Sequence, residues 1–157
     1  MGWFFVAGVG DLDGDRVPDI YVADFDDVTG GADSDGNPAG RAGVYSGADG
    51  HELHAWVGGP GDGVGPGREA GDVDHDGVMD LAVGSYTSSA GAPLGGAVTV
   101  YSGRDGRPLV TLTGTVAEVL AGFDTVGVGD LNGDRAPDLA VSAAWGDVVY
   151  LVGLPRR

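Results

Sequence analysis

The stretch GDLDGDRVPDIYVAD, residues 10–24, sets aspartates at Asp11, Asp13, Asp15 and Asp19 and then turns at once into an apolar, β-branched run. Arg16 is the only base among them. Like charges this close repel, so the cluster needs either a counter-charge or a chemical use. The pattern returns as GDVDHDGVMDLAVGS from Gly71 and as GDLNGDRAPDLAVSA from Gly129. The first aspartates of the three copies, Asp11, Asp72 and Asp130, lie 61 and 58 residues apart. A fixed spacing of this kind marks an internally repeated chain.

A second marker follows the first two clusters: VYSGADG at 44–50 and VYSGRDG at 100–106. Its third copy is reduced to VVYLVG at 148–153. Each unit reads as short strands. One enters the cluster, at 4–9 and 123–128, although its counterpart VGPGREAG in the second unit is poor strand sequence. One leaves the cluster as DIYVADF, DLAVGSY or DLAVSAAW. A third ends in VYSG, where the following DG makes a tight hairpin, and a fourth is HELHAWVG or RPLVTLTG. The Gly/Asp/Asn-rich insertion TGGADSDGNPAG in the first unit is a surface loop on its composition.

Composition agrees with an all-β chain. Glycine accounts for 32 of 157 residues and 42% of the chain is apolar, too much for disorder. Four-stranded antiparallel units of this kind are the blades of β-propellers. The expected fold is an incomplete ring: a blade over 1–60, a second over 61–118, and a truncated third over 119–157. Two open sides then expect neighbours. These come either from further blades of a longer chain or from homo-oligomerisation; a third option is an open, stacked arc.

Twenty-four acids against eight bases give a net charge of -16, which argues against nucleic acid and against an anionic membrane surface. No apolar run reaches the roughly 18 residues of a membrane-spanning helix. The start, MGWFFVAGVGDLDGD, lacks a basic leader and is not read as a signal peptide. With no cysteine, disulfides and thiolate metal sites are excluded.

The loops themselves offer oxygen at positions 1, 3, 5 and 9 and a backbone carbonyl at position 7. That set suits a hard cation; calcium, with six to eight oxygen ligands, fits better than magnesium, and zinc lacks His or Cys partners. The candidate ligands are Asp11, Asp13, Asp15, Val17 and Asp19 in the first loop. Asp72, Asp74, Asp76, Val78 and Asp80 form the second set, and Asp130, Asn132, Asp134, Ala136 and Asp138 the third. Up to three Ca2+ ions are expected, with the third site weakened by the neutral Asn132. An EF-hand is excluded: position 6 is Arg16 or Arg135 in two copies, position 12 is Val22, Val83 or Val141, and the flanks are strands.

With these residues in place, the chain resembles the FG-GAP repeats of integrin α-subunit β-propellers and their bacterial relatives. The resemblance rests on the Gly-Asp-x-Asp/Asn-x-Asp-x-x-x-Asp loop, the following DLAVG strand and the hairpin GAVTVYSGRDG. It implies a calcium loop joining the first two strands of each blade, rings usually of seven blades, and roles in adhesion or ligand binding outside the cell. The chain departs from the family at the naming dipeptide, which is Trp3-Phe4 in the first unit, Gly122-Phe123 in the third and absent from the second. It departs again at position 6, usually Gly, where Arg16 and Arg135 stand.

No catalytic constellation competes with this reading. HELH at 51–54 has a spacing of three, which in a strand places its histidines on opposite faces. GSYTSSAG is not a nucleophile elbow. Trp3, Trp56 and Trp145 are read as packing between blades rather than as sugar platforms. DFDD and DSDG, at 24–27 and 33–36, read as solvated turns. The expectation is a non-enzymatic, extracellular or cell-surface module for an unidentified protein or glycan ligand. The alternative is an accessory domain of a secreted hydrolase or lyase.

Overall fold

The computed structural model describes residues 5–155; Trp3 and Phe4 lie outside them. The described chain is all-β. The first sheet holds β1 (Phe5–Val9), β2 (Asp19–Asp24), β3 (Arg41–Tyr45) and β4 (Glu52–Val57), in that order. In the second are β5 (Val64–Gly71), β6 (Asp80–Ser85), β7 (Ala97–Tyr101) and β8 (Pro108–Thr113). The third orders β9 (Ala121–Gly129), β10 (Asp138–Ala143) and β11 (Val148–Gly153). Every pairing is antiparallel, and the three sheets do not close into a ring. The fold is therefore that of an incomplete propeller.

The weak strand sequence VGPGREAG is β5 in full. Its glycines answer to close packing rather than to strand propensity. A Cβ on Gly67 would lie 2.6 Å from the Tyr21 hydroxyl and 2.8 Å from the Ala82 carbonyl; one on Gly65 would meet Phe25 at 3.0 Å. Tyr21, fully buried, donates its hydroxyl proton to the Gly65 carbonyl at 2.6 Å, so the first sheet bonds directly to this strand.

Two apolar cores lie between consecutive sheets. The first includes Val9, Leu12, Tyr21, Val44 and Trp56 against Val64, Leu81 and Val83. The second includes Ala82, Val98, Val100 and Leu109 against Leu139, Val141 and Leu154. The registers make the two interfaces equivalent: Tyr21↔Val44, Ala82↔Val100 and Ala140↔Leu151 occupy the same place in successive sheets. In the first interface Trp56 stacks on Tyr101, centroids 4.6 Å apart, and its indole N–H donates to the Gly106 carbonyl at 3.0 Å. In the second, Leu112 and Val152 hold those two positions. The smaller pair leaves an apolar groove of about 340 Å³ lined by Val98, Leu112, Val116, Val141, Tyr150 and Val152.

Single parallel bridges also join the sheets, Gly40↔Val64 and Gly96↔Ala121. Both glycines have positive φ, and a Cβ would strike the partner carbonyl at 2.2 and 2.0 Å, so no other residue fits either place.

Candidate metal centre

Each acidic loop joins the first two strands of its sheet and is shaped by its own side chains. The position-1 carboxylate gathers N–H groups from further along the loop. Asp11 accepts from Gly14 and Arg16 at 2.7 and 2.8 Å, Asp72 from Asp76 and Gly77 at 3.0 Å, and Asp130 from Gly133, Asp134 and Arg135. The position-5 carboxylate accepts the N–H of position 7: Asp15 from Val17 at 2.7 Å, Asp76 from Val78 at 2.9 Å, Asp134 from Ala136 at 2.8 Å. These turns wind the chain so tightly that positions 4 and 6 take positive φ in every copy. The pairs are Gly14 and Arg16, His75 and Gly77, and Gly133 and Arg135.

The ninth aspartate behaves differently from the other three. Asp19, Asp80 and Asp138 are buried, at 0%, 0% and 3% exposure. One oxygen of each accepts the position-2 N–H, from Leu12 at 2.8 Å, Val73 at 2.6 Å and Leu131 at 2.8 Å. The other oxygen of Asp19 and Asp80 accepts the N–H of the glycine in VYSG, Gly47 at 3.1 Å and Gly103 at 3.0 Å. The third sheet lacks this hairpin, and Asp138 instead accepts from the Asn132 amide at 3.2 Å. Burial pushes the Asp80 carboxyl above its ordinary range, opposed by the N–H groups of Gly103 and Val73 and reinforced by the nearby charge of Asp74.

The loops bring different subsets of their acids together. In the first, carboxylate oxygens of Asp11, Asp13 and Asp15 lie within 4.8 Å of one another, all three residues exposed. Its ninth aspartate, Asp19, is not part of that cluster. In the second, Asp72, Asp74 and Asp80 converge within the same limit, and the site is half-buried. The Asp74 side chain is 8% exposed, and its Oδ1 is buried with no hydrogen-bond partner. Asp76 instead faces the hairpin, where Arg104 Nε donates to its Oδ2 at 2.7 Å and Arg104 Nη2 to its backbone carbonyl at 2.6 Å. That guanidinium, with the Val78 N–H, holds the Asp76 carboxyl below its ordinary range. Arg107 donates to Asp74 Oδ2 at 2.7 Å. The third loop forms no such convergence among the described residues.

Two contributors to these loops escape a reading based on acids alone. One is the apolar position 2. Leu12 and Val73 are buried at 6% and 2% and belong to the two inter-sheet cores, whereas Leu131 is 59% exposed. The other is the hairpin glycine. A Cβ on Gly47 would lie 2.0 Å from the Pro18 carbonyl, and one on Gly103 would lie 1.9 Å from that of Met79. The signal for both was present, in the D-[LV]-D alternation and the repeated YSG.

The remaining motifs stay apart from these loops. His51 pairs with Asp49 at 2.6 Å, and His54 bonds the Gly103 carbonyl of the next sheet at 2.9 Å, so HELH forms no joint site. Trp145 is 70% exposed. Asp33 closes its own turn through Asn37, and that bonding lowers its pKa. No helix among the described residues is long and apolar enough to cross a membrane.

Comparison with known families agrees with this architecture. Residues 69–101, which span the end of β5, the second acidic loop, β6 and β7, match the FG-GAP repeat model. The match falls on the unit in which the dipeptide naming the repeat is missing, so loop and strand carry the likeness. No curated protein matches the chain.

Proposed function

We propose that the chain is a calcium-binding, non-enzymatic recognition or scaffolding module of an extracellular or cell-surface protein, its ions pinning the turns between the first two strands of each sheet. The observation that carries this reading is Asp74 Oδ1. A buried carboxylate oxygen without a donor is costly unless something positive meets it. It belongs to a residue clustered with Asp72 and Asp80, and that all-oxygen donor set fits a hard divalent cation. Asp72, Asp74 and Asp80 would hold the ion in the second loop, and Asp11, Asp13 and Asp15 in the first. When bound, the ion neutralises carboxylates that otherwise repel.

The test is thermal unfolding with calcium and with EDTA, joined to calorimetric titration. Calcium should raise the melting temperature, and Asp74→Ala should abolish binding at the second loop while sparing the first. No shift and no heat in the wild type would sink the reading.

A partner is proposed on separate grounds. Val149 and Leu151, 66% and 68% exposed on the third sheet, hold the positions of Ala42 and Val44 in the first and Val98 and Val100 in the second. All four of those are buried against the next sheet. At the opposite end Ile20, 41% exposed, holds the place of the fully buried Leu81 and Leu139. The occupant that fits either end is another sheet of the same repeat.

A further inference from the structure

We infer that Arg104 and Arg107 are the resident counter-cations of the second acidic loop and set its calcium threshold above that of the first; this deepens, and rests on, the calcium reading. The two loops form an internal comparison. Their hairpins align as VYSGADGH and VYSGRDGR, so Ala48 stands where Arg104 does, and His51 where Arg107 does. In the first loop Asp15 lies in the carboxylate cluster with Asp11 and Asp13. In the second the corresponding Asp76 lies outside it, clamped at 2.7 and 2.6 Å through its side chain and its carbonyl by one guanidinium. His51 makes no such clamp; it bonds Asp49 within its own hairpin.

A guanidinium fixed at two points is directional and always charged, so it competes with a metal ion for the same oxygens. Arg104 holds Asp76 Oδ2 and Arg107 occupies Asp74 Oδ2, while Asp74 Oδ1 stays free toward Asp72 and Asp80. A cation that uses all four acids must first displace both arginines. Its apparent affinity falls by the fraction of molecules in which they are released. The second loop is thus partly charge-compensated without metal, by two hairpin guanidiniums that the first loop's hairpin lacks. The chain would fill its sites in order as calcium rises, first loop before second.

The experiment is a calcium titration of the isotope-labelled whole chain, followed by the backbone amide signals of Gly14 and Gly77. In the wild type Gly14 should respond at lower calcium than Gly77. Arg104→Ala combined with Arg107→Ala should lower the Gly77 midpoint tenfold or more and leave Gly14 in place; both side chains are more than half exposed, so folding is not at stake. Ala48→Arg should raise the Gly14 midpoint at least threefold. Arg68→Ala removes a guanidinium paired with Asp124 and should move neither midpoint beyond twofold. An unchanged Gly77 midpoint in the double variant, or an equal change with Arg68→Ala, overturns the inference and leaves calcium binding intact. Silence of both glycines in every variant overturns the calcium reading and the inference with it.

Discussion

Arg16 and Arg135 sit at φ of 74° and 73°, a conformation that L-residues with a Cβ adopt at a cost of about 1–2 kcal/mol and glycine adopts freely. Both occupy position 6, where Gly77 stands in the second loop. The side chains are exposed, so their removal loses little packing. Arg16→Gly and Arg135→Gly should each stabilise the calcium-free chain by about 1 kcal/mol, read from urea unfolding in EDTA. Equal or lower stability would mean that the arginines gain more from their surroundings than the turn loses. At this scale the sequence was candid: spacing named the aspartates, and the family pattern named position 6 as the odd one. It did not show that His75, at position 4, shares the strain with a φ of 61°.

The working element is a loop locked to a hairpin, rather than a loop alone. In the first two sheets the ninth aspartate is the lock, with one oxygen on its own loop and the other on a glycine 23 to 28 residues later. Asp80→Ala leaves the N–H groups of Val73 and Gly103 buried without acceptors and should destabilise the calcium-free chain by about 2–5 kcal/mol. Asp76→Ala removes a partly exposed ion pair and the acceptor of the Val78 N–H, and should cost clearly less calcium-free stability than Asp80→Ala. Measured side by side by urea unfolding, similar losses would erase the distinction between the buried ninth aspartate and the fifth-position one. Sequence spacing alone could not separate these roles, because positions 1, 5 and 9 are aspartate in every copy and position 3 in two of the three. What separates them is burial, which the ninth aspartate alone has in all three loops; in the first two the hairpin also folds back over Pro18 or Met79 to bond it. The same blindness explains β5. Its glycines look like strand breakers until the Tyr21 hydroxyl and the Ala82 carbonyl come up against them.

Among the described residues, two sheet-to-sheet interfaces are made and two matching faces are left open. The repeat and its strand count were legible in the spacing of the three clusters. The quality of each interface was not, since it turns on single residues such as Trp56 against Leu112. Exposed apolar positions whose counterparts are fully buried favour association, so light scattering at tens of micromolar should report species larger than one chain. Leu151→Lys together with Val149→Lys should return the monomer without lowering the melting temperature. A strictly monomeric wild type would remove homo-association from consideration.

The glycine bridges between sheets bear on how the molecule comes apart. In repeat chains each unit contacts only its neighbours, so how far unfolding is shared between units depends on the strength of the contact between them. Here Gly40 lies on the Val64 backbone and Gly96 on that of Ala121, and the Val64 and Ala121 N–H groups donate to Ala39 and Gly95 across the seam. Melting one sheet therefore strips hydrogen bonds from the backbone of the next. The seams act as rivets, and they make the three sheets one cooperative body rather than three beads on a string.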